Sequence, residues 1–107
     1  MILYLPGLGE GADAGLSWRQ AWARAGYAVL CVQLASFGPS LWASSRARAG
    51  DFIGIAGAAF SATSLAMRMQ IVRATLEHVS RKQGNAPFAQ IDLARIAVAG
   101  FDLGAQT

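Results

Sequence analysis

Apolar residues come in three short runs separated by stretches of mixed character, and the pattern changes period from one to the next. "ILYL" (2–5) is a short apolar run closed by Pro6 and a series of glycines, which predicts a strand followed by a loop. "YAVLCVQL" (27–34) is continuously apolar, with Val29, Leu30, Val32 and Leu34, as a strand covered on both faces would be. "RIAVAGF" (95–101) predicts a third strand. Between the first two runs, Ser17 stands three residues before Gln20, a capping-box spacing that predicts a helix starting at Ser17 and ending at Gly26.

From Thr63 the period becomes helical. Leu65, Met69, Val72, Leu76 and Val79 recur at 4-3-4-3 spacing and line one face. Arg68, Arg73, Glu77 and Arg81 fall off that stripe, Glu77 and Arg81 form an i,i+4 pair, and Gly84-Asn85 closes the helix. The stretch from Pro39 to Ala62 predicts a loop with one or two short helical pieces. The order strand, helix, strand, helix, strand then predicts parallel strands joined by crossovers, an α/β fold. Three parallel strands leave sheet edges open, so the chain is expected to be part of a larger domain.

Composition narrows the function classes. Of 107 residues, 54% are hydrophobic and only 14% charged, and the mean hydropathy is +0.37, more apolar than a small self-contained domain usually is. The net charge of +3 comes from scattered arginines and one lysine, with no basic stripe interleaved with aromatics, which argues against a nucleic-acid partner. The single Cys31 excludes an internal disulfide, and with only His78 beside it the chain cannot build a cysteine/histidine zinc site alone. The uncharged stretch from Phe52 to Met67 is interrupted by Gly, Ser and Thr and is too short to span a bilayer. No signal-peptide pattern follows Met1, which favours a cytoplasmic protein, although a chain opening in mid-strand leaves its compartment open. Trp18, Trp22 and Trp42 are expected to serve packing rather than to cage a substrate.

Two loops carry candidate chemistry. Gly7-Leu8-Gly9-Glu10-Gly11-Ala12 fits the dinucleotide fingerprint G-x-G-x-x-G/A, but that fingerprint needs the helix to open within the glycines. The helix start at Ser17 lies well past Gly11, and the second strand runs into Gln33 and Leu34 where an acidic residue should meet the ribose, so no cofactor is expected. A Gly-rich turn after a first strand can equally present backbone N–H groups to a reacting oxygen, or be an ordinary turn. The second loop, Gly100-Phe101-Asp102-Leu103-Gly104-Ala105, has the form of a nucleophile elbow with aspartate in place of serine. Such a turn needs small residues two before and two after the nucleophile, which Gly100 and Gly104 supply, and Asp tolerates positive φ better than most residues.

With "LYLPGLGEG", "WARAGYAVLCVQLASFGPS" and "IDLARIAVAGFDLGA" in this order, the chain resembles the α/β-hydrolase superfamily, and within it the esterases related to dienelactone hydrolase and platelet-activating-factor acetylhydrolase. The resemblance implies a parallel α/β/α sandwich, of which residues 1–107 would be a partial domain ending after the elbow. It implies that Ile2–Leu5, Ala28–Leu34 and Arg95–Phe101 are parallel neighbours with the first in the middle. It further implies that Asp102 holds the nucleophile position, that the Leu8 and Leu103 N–H groups form the oxyanion hole, that no cofactor or metal is used, and that the substrate is a small molecule, an ester or lactone. The family's acid and histidine follow the elbow, beyond Thr107. His78 is a poor substitute base: its helix ends where the last strand begins, some five residues, roughly 17 Å, from the elbow.

Aspartate alters the chemistry. Attack by a carboxylate on an ester gives a mixed anhydride whose tetrahedral precursor expels the carboxylate more readily than the alkoxide. Attack on an sp³ carbon bearing halide or epoxide oxygen gives a stable ester that water can cleave. Dehalogenases and epoxide hydrolases of the superfamily use aspartate in this way, though halide-releasing members usually have tryptophan after the nucleophile, where this chain has Leu103. Three readings stand: an ester or lactone hydrolase or a relative of one, an Asp-nucleophile hydrolase, and an inactive binding module of the same fold.

Overall fold

The computed structural model describes all residues, 1–107. Three strands, β1 (Ile2–Leu5), β2 (Val29–Cys31) and β3 (Ala97–Gly100), form one open parallel sheet in the order β2-β1-β3. Around it lie five helices: α1 (Leu16–Arg24), α2 (Ser45–Arg48), α3 (Phe52–Ala59), α4 (Ala62–Arg81) and α5 (Leu103–Gln106). The fold is mixed α/β with the first strand central. With 13 of 107 residues buried, the core is essentially β1 and the side chains laid on it. The radius of gyration, 15.1 Å, exceeds the roughly 13 Å of a compact chain of this length.

β1 has the predicted bounds because it is held from both sides and stopped by chemistry. Ile2 pairs with Val29 and Ala97, and Leu5 with Gly100. Pro6, lacking an N–H, cannot extend the ladder. That stop also shortens its neighbours. Val32 N–H still bonds to Tyr4 O at 2.9 Å, but beyond it β2 has no partner, and the predicted strand Ala28–Leu34 turns off into 3₁₀ turns at Ala35–Phe37 and Pro39–Ala43. The predicted Arg95–Phe101 likewise shrinks to Ala97–Gly100, flanked by ladder bonds from Ala97 N to Met1 O and Phe101 N to Leu5 O. The burial expected for β2 is only half realised, and β3 is largely exposed.

Other expectations are corrected in detail. α1 starts at Leu16, and Ser17 caps nothing; the N-cap is Gly15, in left-handed conformation at φ 63°. A Cβ at Gly15 would press against the Tyr4 ring, so glycine is needed both for the backbone and for the space. Trp22 packs on Tyr4, with ring centroids 6.2 Å apart, whereas Trp18 is 67% exposed and packs no core. The region between Pro39 and Ala62 is more helical than expected, because Ser44, Asp51 and Ser61 each accept a backbone N–H and start α2, α3 and α4. No single helix is long and apolar enough to cross a membrane.

The largest correction lies on α4. Its inward face runs through Leu65, Arg68, Val72, Leu76 and Val79, while Met69 faces outward. Position 68 is i+3 from Leu65 and i−4 from Val72, so it belongs to the buried stripe by geometry whatever its side chain. Arg68, expected in solvent, is 0% exposed.

Candidate active site

β1 and β3 end side by side, so the loops that follow them meet. The loop after β1 reaches Leu8, and the turn after β3 places Asp102. Leu8 N–H donates to Asp102 Oδ2 at 3.0 Å, joining residues 94 positions apart. Asp102, Leu8, Leu103, Gly100 and Gly104 are thus brought into one place.

The turn at Asp102 is a strained elbow. Asp102 has φ 49° and ψ −114°, and it is the one non-glycine residue with positive φ in the chain. A residue so held costs on the order of 1–3 kcal/mol and persists only when its surroundings impose it. The two glycines are part of that surrounding: a Cβ at Gly100 would meet the Gly104 and Ala105 backbone, and one at Gly104 would collide with the Leu5 carbonyl. The elbow can therefore approach β1 only with glycine at both positions. Leu103 follows as the first residue of α5, where a helix leaves N–H groups without internal partners.

The donor loop is fixed from several directions. Glu10 N–H bonds to Gly7 O at 3.2 Å, and this orients the Gly7–Leu8 peptide whose N–H faces Asp102. The Glu10 carboxylate returns to accept from Gly7 N–H at 2.6 Å. Gly9 N–H bonds to Phe37 O at 2.6 Å, and the Trp42 indole N–H to Gly9 O at 3.1 Å. The Trp42 ring lies where a Gly9 side chain would be, and Gly9 itself needs φ 74°. Donors held in this way need no rearrangement when charge develops near them.

The Asp102 carboxylate is exposed, beside the 60% exposed Phe101 ring. A small cavity of about 20 Å³ lies behind the elbow, lined among others by Leu5, Gly7, Glu10, Phe37, Arg68 and Leu103. It has room for roughly one water and not for a substrate. Reagents must reach Asp102 from the open side.

His78 is exposed in the last turn of α4. Arg68 of the same helix touches the end of α5, and ten residues of helix put His78 about 15 Å further along the axis. No three His, Cys, Asp or Glu side chains converge as a metal site would require. α1 opens at Leu16 rather than among the glycines, so its N-terminus is not where a dinucleotide fingerprint would place it.

Glu10, Trp42 and Arg68 are the site-supporting residues that motif reading misses. Only Arg68 left a signal, its place on the stripe of α4. No family model, curated protein or solved structure gives a significant match to this chain.

Proposed function

We propose that this chain carries the nucleophile and oxyanion loops of an α/β-hydrolase-type hydrolase, in a sheet that would belong to an α/β/α sandwich, and that Asp102 is a covalent nucleophile toward sp³ carbon. The observation that carries this reading is the Leu8 N–H on Asp102 Oδ2. In ester or lactone hydrolysis by a serine, the hole must receive the carbonyl oxygen of the substrate. Here one of its donors is taken by the nucleophile's own oxygen. For an aspartate nucleophile that is the useful arrangement, because the carbonyl cleaved in the second step is the aspartate's own.

The two steps follow. Oδ1 attacks the carbon of a strained epoxide; the new C–O bond forms as the ring C–O bond breaks, and the released alkoxide takes a proton from solvent. With a base to take its proton, water then adds to the carboxyl carbon, and Oδ2 becomes the oxyanion held by the N–H groups of Leu8 and Leu103. Collapse, with that proton returned to the leaving oxygen, expels the diol and restores the carboxylate. An epoxide fits better than an alkyl halide, since Leu103 has no side-chain donor for a departing halide. Phe101 beside the carboxylate favours an apolar or aromatic substituent.

The first step needs no base, the second does, and His78 is too distant to provide it. Incubation with styrene oxide is therefore expected to leave a stable ring-opened hydroxyalkyl ester on the peptide containing Asp102, heavier by the whole mass of the epoxide and read by mass spectrometry, and Asp102→Asn to take up none. Absence of the adduct would end the Asp-nucleophile reading. In a longer chain that also carries the family's acid and histidine, gain of p-nitrophenyl acetate cleavage in Asp102→Ser would then favour the ester or lactone reading, and inactivity of both forms the binding module.

A further inference from the structure

Arg68 is a cation in the wrong kind of place. Its guanidinium is fully buried, with no carboxylate within ion-pairing distance; the ion pairs of the chain join Arg46, Arg81 and Arg95 to other residues. Its partners are all neutral. Nε donates to Thr107 Oγ1 at 2.8 Å, Nη1 to the Ala59 carbonyl and Nη2 to the Gln106 side-chain carbonyl, while the Phe37 ring lies 5.7 Å from the guanidinium carbon. Burial without a counter-charge pulls its pKa below the ordinary guanidinium value. An apolar side chain of similar volume would fill this space at lower cost.

What the guanidinium holds explains its presence. Thr107 Oγ1, which accepts from Arg68, donates to Leu103 O at 2.9 Å. Gln106 uses its backbone N–H on Asp102 O and its side-chain NH₂ on Phe60 O. Apart from the Nη1 bond to Ala59 at the end of α3, each of these bonds has an end on α5, on Asp102 that opens it or on Thr107 that closes it. α5 has four residues, too few to sustain a helix by its own hydrogen bonds. On its upstream side Asp102 is tied to the sheet through Phe101 N–H on Leu5 O. On its downstream side the strained residue rests on α5, and α5 on Arg68.

We propose that Arg68 is a positioning residue for the nucleophile: by clasping Gln106 and Thr107 against α3 and α4 it keeps Asp102 in its strained turn, with Oδ2 on the Leu8 N–H. A planar fork with donors in three directions can do this, and a lysine cannot. The catalytic value of the arrangement rests on the nucleophile role proposed above; the geometric claim does not.

The test measures both. Amide hydrogen exchange is followed by NMR in the wild-type chain and in Arg68→Met, alongside the rate of Asp102 alkylation by styrene oxide. Exchange at Leu8 and Gln106 is expected to rise, and alkylation to slow, about tenfold or more, while the Leu3 and Tyr4 amides inside the sheet stay protected. Millimolar guanidinium added to Arg68→Ala is expected to restore part of both. If Arg68→Met loses protection throughout the sheet, the double variant Gln106→Leu/Thr107→Val decides, because it removes the acceptors on α5 and keeps Arg68. Leu8 exchange within about twofold of wild type in a folded variant would overturn the proposal. Failure of the wild-type chain to be alkylated would instead remove the nucleophile role and leave the exchange result standing.

Discussion

β1 and β3 are neighbours in one sheet, run parallel and each deliver one half of the site, yet they are built in opposite ways. β1 is buried along its whole length and paired on both sides. β3 is an edge strand, largely exposed, with Val98 57% accessible. The loop after β1 thus grows from the most rigid part of the molecule and is then tied by Glu10, Phe37 and Trp42. The elbow after β3 grows from a weakly covered strand and bears the strain of Asp102. It is held by glycine contacts with Leu5 and by Arg68. Rigidity of the Leu8 loop and constraint at Asp102 come from different sources, and each can be attacked separately.

The largest effect is expected from the buried side. Leu3→Ala, at a fully buried position, should cost about 2–5 kcal/mol in urea or thermal unfolding. Next comes the seam between the two halves. Gly104→Ala drives a methyl group into the Leu5 carbonyl and should cost about 1–3 kcal/mol while abolishing alkylation of Asp102. Relief of strain should have the opposite sign: Asp102→Gly, free to adopt φ 49°, is expected to stabilise the fold by about 1 kcal/mol and to remove the carboxylate proposed as nucleophile. On the exposed side, Val98→Lys should shift stability by less than about 0.5 kcal/mol, but should reduce self-association through the open β3 edge in sedimentation. A stability loss there as large as that of Leu3→Ala would contradict the contrast.

The smallest effect concerns a pair outside the sheet. A side-chain hydrogen bond from Arg46, with a further bond from Gly54 N–H, holds the Asp51 carboxyl below its ordinary pKa. A depressed folded-state pKa stabilises above the unfolded value, near 3.9, and that contribution fades as pH falls through the folded one. Asp51→Asn should therefore weaken the chain slightly at neutral pH and be indistinguishable from it in strong acid. A difference that grows on acidification would refute this.

What the sequence made legible follows the same divide. The bounds of β1 could be read, because an apolar run and Pro6 are local signals, whereas the central place of that strand and the meeting of Leu8 with Asp102 were expected only through the resemblance. The short β2 and β3 could not, since their ends depend on where a partner strand stops. Ser17 and Gln20 had the spacing of a cap, but Gly15 beside the Tyr4 ring determined the helix start. Arg68 was assigned to solvent because its charge was weighed above its position in the helical period. Its acceptors on Gln106 and Thr107 lie 38 and 39 residues away, and no local pattern announces them.

Trp42 makes the donor loop visible to light. Its indole is half exposed, bonded to the Gly9 carbonyl one residue from the donor Leu8, and set 6.4 Å from the Phe52 ring. Indole emission responds to hydration and to the fate of its N–H, so any movement of this loop should change the colour or the intensity of the fluorescence. Trp18 and Trp22, both carried on α1, would contribute a steady background. The protein thereby contains its own optical reporter of the position of the loop that meets Asp102, without an attached dye.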